Sequence, residues 1–201
     1  MTTTAAQTSF TSALHPERQV RATNHVGMIL ALVSFSMMFA GLFYSYGLLR
    51  IRAMAWPPPG VPEAPIVVPT IITVLMLGSS ISLELARKRL REGSVAAFHR
   101  LAMAAIILGT LFIGLQAGVW VELWEAGLTL AIGPYASIFY FLTTFHALHV
   151  LAGLAILVWM YVAAPRAPHP ELRESRAHLS AMFWHFVGAV WLIIFSLVYV
   201  F

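Results

Sequence analysis

Four groups of polar residues sit inside otherwise apolar stretches, and each could do chemistry. The first is His146-x-x-His149. Spacing i, i+3 puts both imidazoles on one face of a helix, with Thr143 one turn earlier and Gly153 one turn later. Such a pair could ligate a metal or haem, or it could be two neutral rings hydrogen-bonded between helices, with Gly153 allowing close approach. The packing reading is preferred, because a metal asks for more ligands and the only comparably deep histidine is His185. That residue belongs to the second group, Trp184-His185-Phe186, followed by Gly188 and Ala189. Small residues three and four positions on point to a tight helix–helix seam. Gln116, Trp120 and Glu122 form the third group: Gln116 should be buried and hydrogen-bonded, and Glu122 should reach water at a helix end. The fourth is Glu84, whose favourable i, i+4 partner is Lys88. Gln116, Glu122, His146, His149 and His185 are therefore expected to form a structural polar network and not a catalytic or cofactor site. His146 and His149 are expected to face neighbouring helices near Gln116 or Glu122.

The elements that must position these residues are membrane helices. The chain of 201 residues is 60% hydrophobic and 10% charged, with a mean hydropathy of +0.82. Soluble domains carry about 25% charged residues, so the solvent here is largely lipid. There is no Cys, which excludes disulfides, thiolate metal sites and Fe–S clusters, and all eight acids are Glu. Five apolar runs, 26–49, 66–83, 101–121, 133–164 and 179–201, approach or exceed the roughly 18–20 residues that cross a bilayer. In lipid every backbone N–H and C=O must be paired internally, so the runs are read as five helices. The fourth is the longest run, which implies tilt or continuation beyond the membrane. Residues 1–25 are read as a polar N-terminal tail and 26–201 as the five-helix domain.

The connections set the topology. Residues 50–65 contain Trp56-Pro57-Pro58-Pro59-Gly60, then Pro62 and Pro65, and predict a turn or extended segment. Residues 87–93 form a basic turn closed by Gly93. With an even alternation of five spans, ten of the 12 Lys and Arg residues fall on one side, and only Arg50 and Arg52 on the other. The positive-inside rule then puts the N-terminus inside and the C-terminus outside. The net charge of +4 comes from helix ends, which is topology control and not a nucleic-acid surface.

Several segments, in order, resemble subunit III of haem–copper terminal oxidases, the cytochrome c and quinol oxidases. Gly27-Met28-Ile29-Leu30, with Phe39, Leu42, Phe43 and Tyr46, looks like the first helix of the five-helix bacterial forms. Trp56-Pro57-Pro58-Pro59-Gly60 resembles the family's W-P-P-x-G loop. Pro69, Thr73, Ser79, Ser80, Ala86 and Arg87 are similar to its next helix. Gly114-Leu115-Gln116-Ala117 with Trp120 and Glu122 resembles its L-Q-A-x-E-W-x-E helix. Phe139, Thr143, Phe145, His146, Leu148, His149, Val150 and Gly153 match its most recognisable stretch, and Trp184-His185-Phe186-Val187 with Val190-Trp191-Leu192 its last helix.

The resemblance implies a non-catalytic accessory subunit in the inner (plasma) membrane of a bacterium, in preference to the mitochondrial inner membrane. It would support assembly, stability and proton uptake. Its partners would be oxidase subunits I and II and membrane phospholipids, with haem and copper in the partner subunits, no cofactor of its own and no nucleic acid. Family members carry acids at the positions of Phe35, Val119 and Gly188, and their replacement weighs against a direct proton role. Ser34, Phe35 and Ser36 are expected at the subunit interface. Two other readings stand beside this one: the accessory subunit of a nitric oxide reductase, and a haem-bearing cytochrome b-type carrier using these histidines.

Overall fold

A computed structural model describes residues 16–62 and 65–200. Five long α-helices account for most of them: α1 (Pro16–Arg52), α2 (Val67–Arg91), α3 (Val95–Glu125), α4 (Pro134–Ala163) and α5 (Pro170–Phe195). A π-helical turn, Ser196–Val200, extends α5, and a 3-10 turn, Leu130–Ile132, precedes α4. All five helices are long and apolar enough to cross a membrane, so the chain is a multi-pass all-α membrane protein.

The helices overrun the apolar runs at their polar ends. Helix α1 starts at Pro16, so residues 16–25 belong to it, and the boundary expected at residue 25 is not a helix start; residues 1–15 lie outside the described residues. At 37 residues α1, not α4 with 30, is the longest helix. The physical reason is that Arg, Gln, Glu and Lys are good helix formers, so charge marks the edge of the lipid and not the end of the helix. Pro134 and Pro170 each stand at the first turn of their helices, where a missing N–H costs nothing. Gly93, at φ +79°, makes the turn between α2 and α3. The proline segment is non-helical from Ala53, as expected, and its Trp56–Pro57 bond is cis.

Helices α2 and α3 form an antiparallel hairpin, α5 lies against α2 and α4, and α1 runs along the periphery beside α4 and α5. The centre is held by tryptophan. The fully buried Trp184 and Trp191 of α5 donate their indole N–H groups to Ser79 Oγ (3.1 Å) and Thr73 Oγ1 (2.9 Å) on α2. Ser79 in turn donates to the Ala105 carbonyl on α3 (2.8 Å), and Trp120 of α3 donates to Thr143 Oγ1 on α4 (3.1 Å). Each bond joins two helices and satisfies a polar atom that lipid cannot.

Gly109 and Gly153 make room for the Trp184 ring. A Cβ at Gly109 would lie 2.7 Å from it, and one at Gly153 2.9 Å. The outer surface is apolar: Leu30, Met37, Val74, Ile81, Ile107 and Leu148 are all exposed, a pattern that water would penalise and lipid tails do not.

Ion pairs and hydrogen bonds fix the even alternation of the spans. At one end, here the basic end, Arg21 of α1 pairs with Glu171 of α5, and Arg91 of α2 lies 3.5 Å from Glu174 of α5. At the other end Tyr46 of α1 donates to the Leu197 carbonyl (2.7 Å), and Trp56 packs edge-on against Tyr135 of α4.

Candidate functional site

Among the described residues, the most enclosed histidine is His146. It is 1% exposed and sits among Phe39 of α1, Phe112 of α3 and Trp191 of α5, with its ring stacked 5.5 Å from the last. Neither ring nitrogen has a hydrogen-bond partner among the described residues. Gln116, one turn beyond Phe112 on α3, donates through Nε2 to the Tyr199 hydroxyl at 3.4 Å, and its Oε1 has no partner among the described residues. His149 is half-buried; its Nδ1–H donates to the Phe145 carbonyl of its own helix (2.8 Å), and its ring meets Phe35 and Phe39 edge-on. Both histidines thus face neighbouring helices, but aromatic rings surround them where Gln116 or Glu122 was expected.

The five polar residues do not form one network. His185 is on the opposite side of the bundle, 42% exposed, with Nε2 3.7 Å from Glu84 Oε2. Glu122 is exposed near the end of α3. The cause is helical phase: His146 and His149 differ by 300° of rotation, enough to turn one ring inward and the other toward α1. No three His, Cys, Asp or Glu side chains converge as a metal shell requires among the described residues.

Glu84 pairs with Arg87 (2.7 Å), not with Lys88. Arg87 is the hub of the basic end. Its side chain is 13% exposed, and its second guanidinium N–H group donates to His178 Nδ1 at 3.0 Å. His25 of α1 stacks on His178 at 5.7 Å. Together with Arg21, Glu171 and Glu174 these residues line a cleft of about 870 Å³. Acids and bases alternate across it, so its evident task is to tie α1, α2 and α5 together at the membrane edge.

The expected interface residues divide. Ser34 and Ser36 are exposed and donate to the Leu30 and Leu32 carbonyls of their own helix (2.9 and 2.8 Å). Phe35 instead faces inward, its ring 4.8 Å from His149 and 6.2 Å from Phe183. It is therefore half-buried against this chain's own rings, whereas Ser34 and Ser36 face outward. Of the other two positions where the family carries acids, Val119 is buried in α3, and Gly188 lines a groove between α2 and α5. The serine and threonine partners of the two indoles, and the role of Gly109, escaped the sequence reading. A periodic match of small residues on α2 and α3 to tryptophans on α5 was their only signal.

The comparisons with known proteins extend over nearly the whole chain. The family described as cytochrome c oxidase subunit III matches residues 5–201. The chain is similar to cytochrome c oxidase subunit 3 of Thermostichus vulcanus, 30% identical over 92% of this chain and 89% of that relative. It is 33% identical to the Synechocystis protein of the same description, over 86% of this chain and 73% of the relative. The platypus subunit 3, from Ornithorhynchus anatinus, is 31% identical over 92% and 72%. With five apolar helices around a tryptophan-centred interior and a family match over residues 5–201, the chain belongs to the cytochrome c oxidase subunit III family.

Proposed function

We propose that this chain is the accessory subunit III of a haem–copper respiratory oxidase. It sits in the plasma membrane of a bacterium and is assembled with subunits I and II, which hold the haem and copper. The observation that carries this reading is the family match over residues 5–201. The chain's part is architectural. Its five helices are locked by indole–hydroxyl bonds and by the Arg87 hub, and they form a rigid body beside the oxygen-reducing subunit, supporting its stability and its supply of protons. The N-terminus is inside, from the ten-to-two division of basic residues, and phospholipids fill the apolar periphery.

The test is sustained turnover. Oxidase purified without this chain should start at the rate of the full complex and lose activity progressively over many turnovers. Unchanged activity and stability of the stripped complex would contradict the proposal.

A further inference from the structure

Arg87 and His178 make a hydrogen bond that only one protonation state allows. A guanidinium N–H of Arg87 lies 3.0 Å from His178 Nδ1. A guanidinium has donors and no acceptor, and it does not lose its charge in a protein. Nδ1 must therefore accept, which requires a neutral imidazole with its proton on Nε2. A proton added at Nδ1 would set N–H against N–H, and cation against cation, across the same short distance.

The groups around His178 offer it another partner. From α2 it faces Arg87, itself held by Glu84 at 2.7 Å, and one turn further on Arg91 lies 3.5 Å from Glu174. From α1 it meets His25, stacked at 5.7 Å, and Arg21, which is paired with Glu171. On its own helix Glu174 stands four residues earlier, the spacing at which a carboxylate attracts a cation. With neutral histidines the cations Arg21, Arg87 and Arg91 are balanced by Glu84, Glu171 and Glu174. A charge on His178 breaks that balance, and one on His25 widens the excess. The cleft of about 870 Å³ among these groups leaves room for a ring to turn. Glu171 and Glu174 are exposed, so protons reach the cleft from water.

We propose that His178 is a pH-sensitive latch at the basic end of the bundle. While neutral, it accepts from Arg87 and ties α5 to α2. Once protonated, the imidazolium turns to Glu174, which leaves Arg91. Two ties between α2 and α5 are exchanged for one bond within α5. Helix α1 is joined to α5 at this end, through Arg21–Glu171 and the His25–His178 stack, so it moves with α5 and the cleft against α2 widens. The Trp184–Ser79 and Trp191–Thr73 bonds deeper in the seam confine the change to the end turns. The closed form is favoured at high pH, and that preference is lost as the pH falls through the range where histidine titrates, about pH 8 to 5. The pH sensed is that of the inner side, where the positive-inside rule puts the basic end. The latch lies wholly within this chain and does not depend on the oxidase reading.

The experiment measures a distance in the purified full chain in micelles. The chain has no cysteine of its own, so Gln19→Cys on α1 and Lys88→Cys on α2, both exposed positions, take nitroxide spin labels. Double electron–electron resonance then reads the separation of the two labels from pH 8 to pH 5, a range over which ordinary carboxylates stay largely ionised. The wider population should grow about tenfold or more between the two ends, the worth of one hydrogen bond to a charged group. In His178→Gln the amide oxygen gives Arg87 an acceptor that does not titrate, and the distribution should stay narrow throughout. Circular dichroism checks that this variant is folded. A distribution that does not change from pH 8 to pH 5 in the labelled chain with His178 in place overturns the inference, whatever the variant does. A His178→Gln chain that widens on acidification to the same extent, or is already wide at pH 8, overturns it too.

Discussion

Adding one methyl group at Gly109 should destabilise this protein more than any other single-carbon change at its glycines. A Cβ there would lie 2.7 and 2.8 Å from two carbons of the Trp184 ring and 2.9 Å from Leu154 Cδ2. The indole cannot step aside. It is fully buried, it lies so close to Gly153 that a Cβ there would come within 2.9 Å of another part of the same ring, and its N–H is held by Ser79. Overpacking of this kind costs about 1–3 kcal/mol, and breaking the interhelical hydrogen bond adds about 0.6 kcal/mol. Gly109→Ala should therefore lose about 2–3 kcal/mol, a drop of about 30- to 150-fold in the folding equilibrium. Gly188→Ala, with its nearest contact at 3.6 Å, should stay within about 0.5 kcal/mol of wild type.

The assay is unfolding of the purified chain in mixed micelles by titration with sodium dodecyl sulfate, followed by Trp fluorescence and circular dichroism. A second variant makes the argument specific. Trp184→Phe removes part of the ring that the new methyl strikes, so the pair Gly109→Ala with Trp184→Phe should be less destabilised than the sum of the two singles. Equal stability of Gly109→Ala and wild type, or strict additivity in the double variant, would refute the reasoning.

Three further outcomes follow from the same geometry. His146→Leu should be neutral or stabilising by about 1 kcal/mol, because it replaces two unpaired buried nitrogens with carbon; a large loss of stability in the same titration would show that the imidazole has a partner. Phe35→Ala should destabilise the isolated chain by about 1–3 kcal/mol, since its ring packs on His149 and Phe183 of this chain; unchanged stability without the partner subunits would return Phe35 to the interface. Single cysteines introduced at 87–93 in this cysteine-free chain should react with an impermeant maleimide only after the inner side of the membrane is opened, and labelling from outside on intact cells would invert the topology.

What could be read from the residues follows from what lipid does and does not demand. Five spans were legible because a hydrocarbon core requires long apolar helices, and the proline segment after α1 because Pro57, Pro58 and Pro59 cannot continue one. The common end shared by Arg21, Arg91, Glu171 and Glu174 was legible from charge alternation alone. The direction each side chain faces was not. Core and lipid are both apolar, so a membrane helix lacks the polar face that orients a soluble one. That is why Phe35 was expected to look outward and packs inward, and why His185 was grouped with His146 though they occupy opposite sides of the bundle. The extension of α1 back to Pro16 was hidden for a related reason: its residues leave the lipid before they leave the helix. The salt bridge of Glu84 went to Arg87 and not Lys88 because the i, i+3 partner on α2 also reaches His178 on α5, a contact that only the tertiary structure contains.

The central claim is membership in an oxidase complex without a redox centre in this chain, and one measurement bears on it most directly. Native membranes are solubilised gently, the complex is captured through a tag on this chain, and the eluate is analysed by optical spectroscopy, oxygen consumption and mass spectrometry of its subunits. Haem absorption and oxygen reduction are expected in the captured complex, with subunits I and II beside this chain, and no Soret band in the chain once it is separated from them. Capture of the chain without any haem–copper subunit, or a Soret band that stays with the isolated chain, would contradict it.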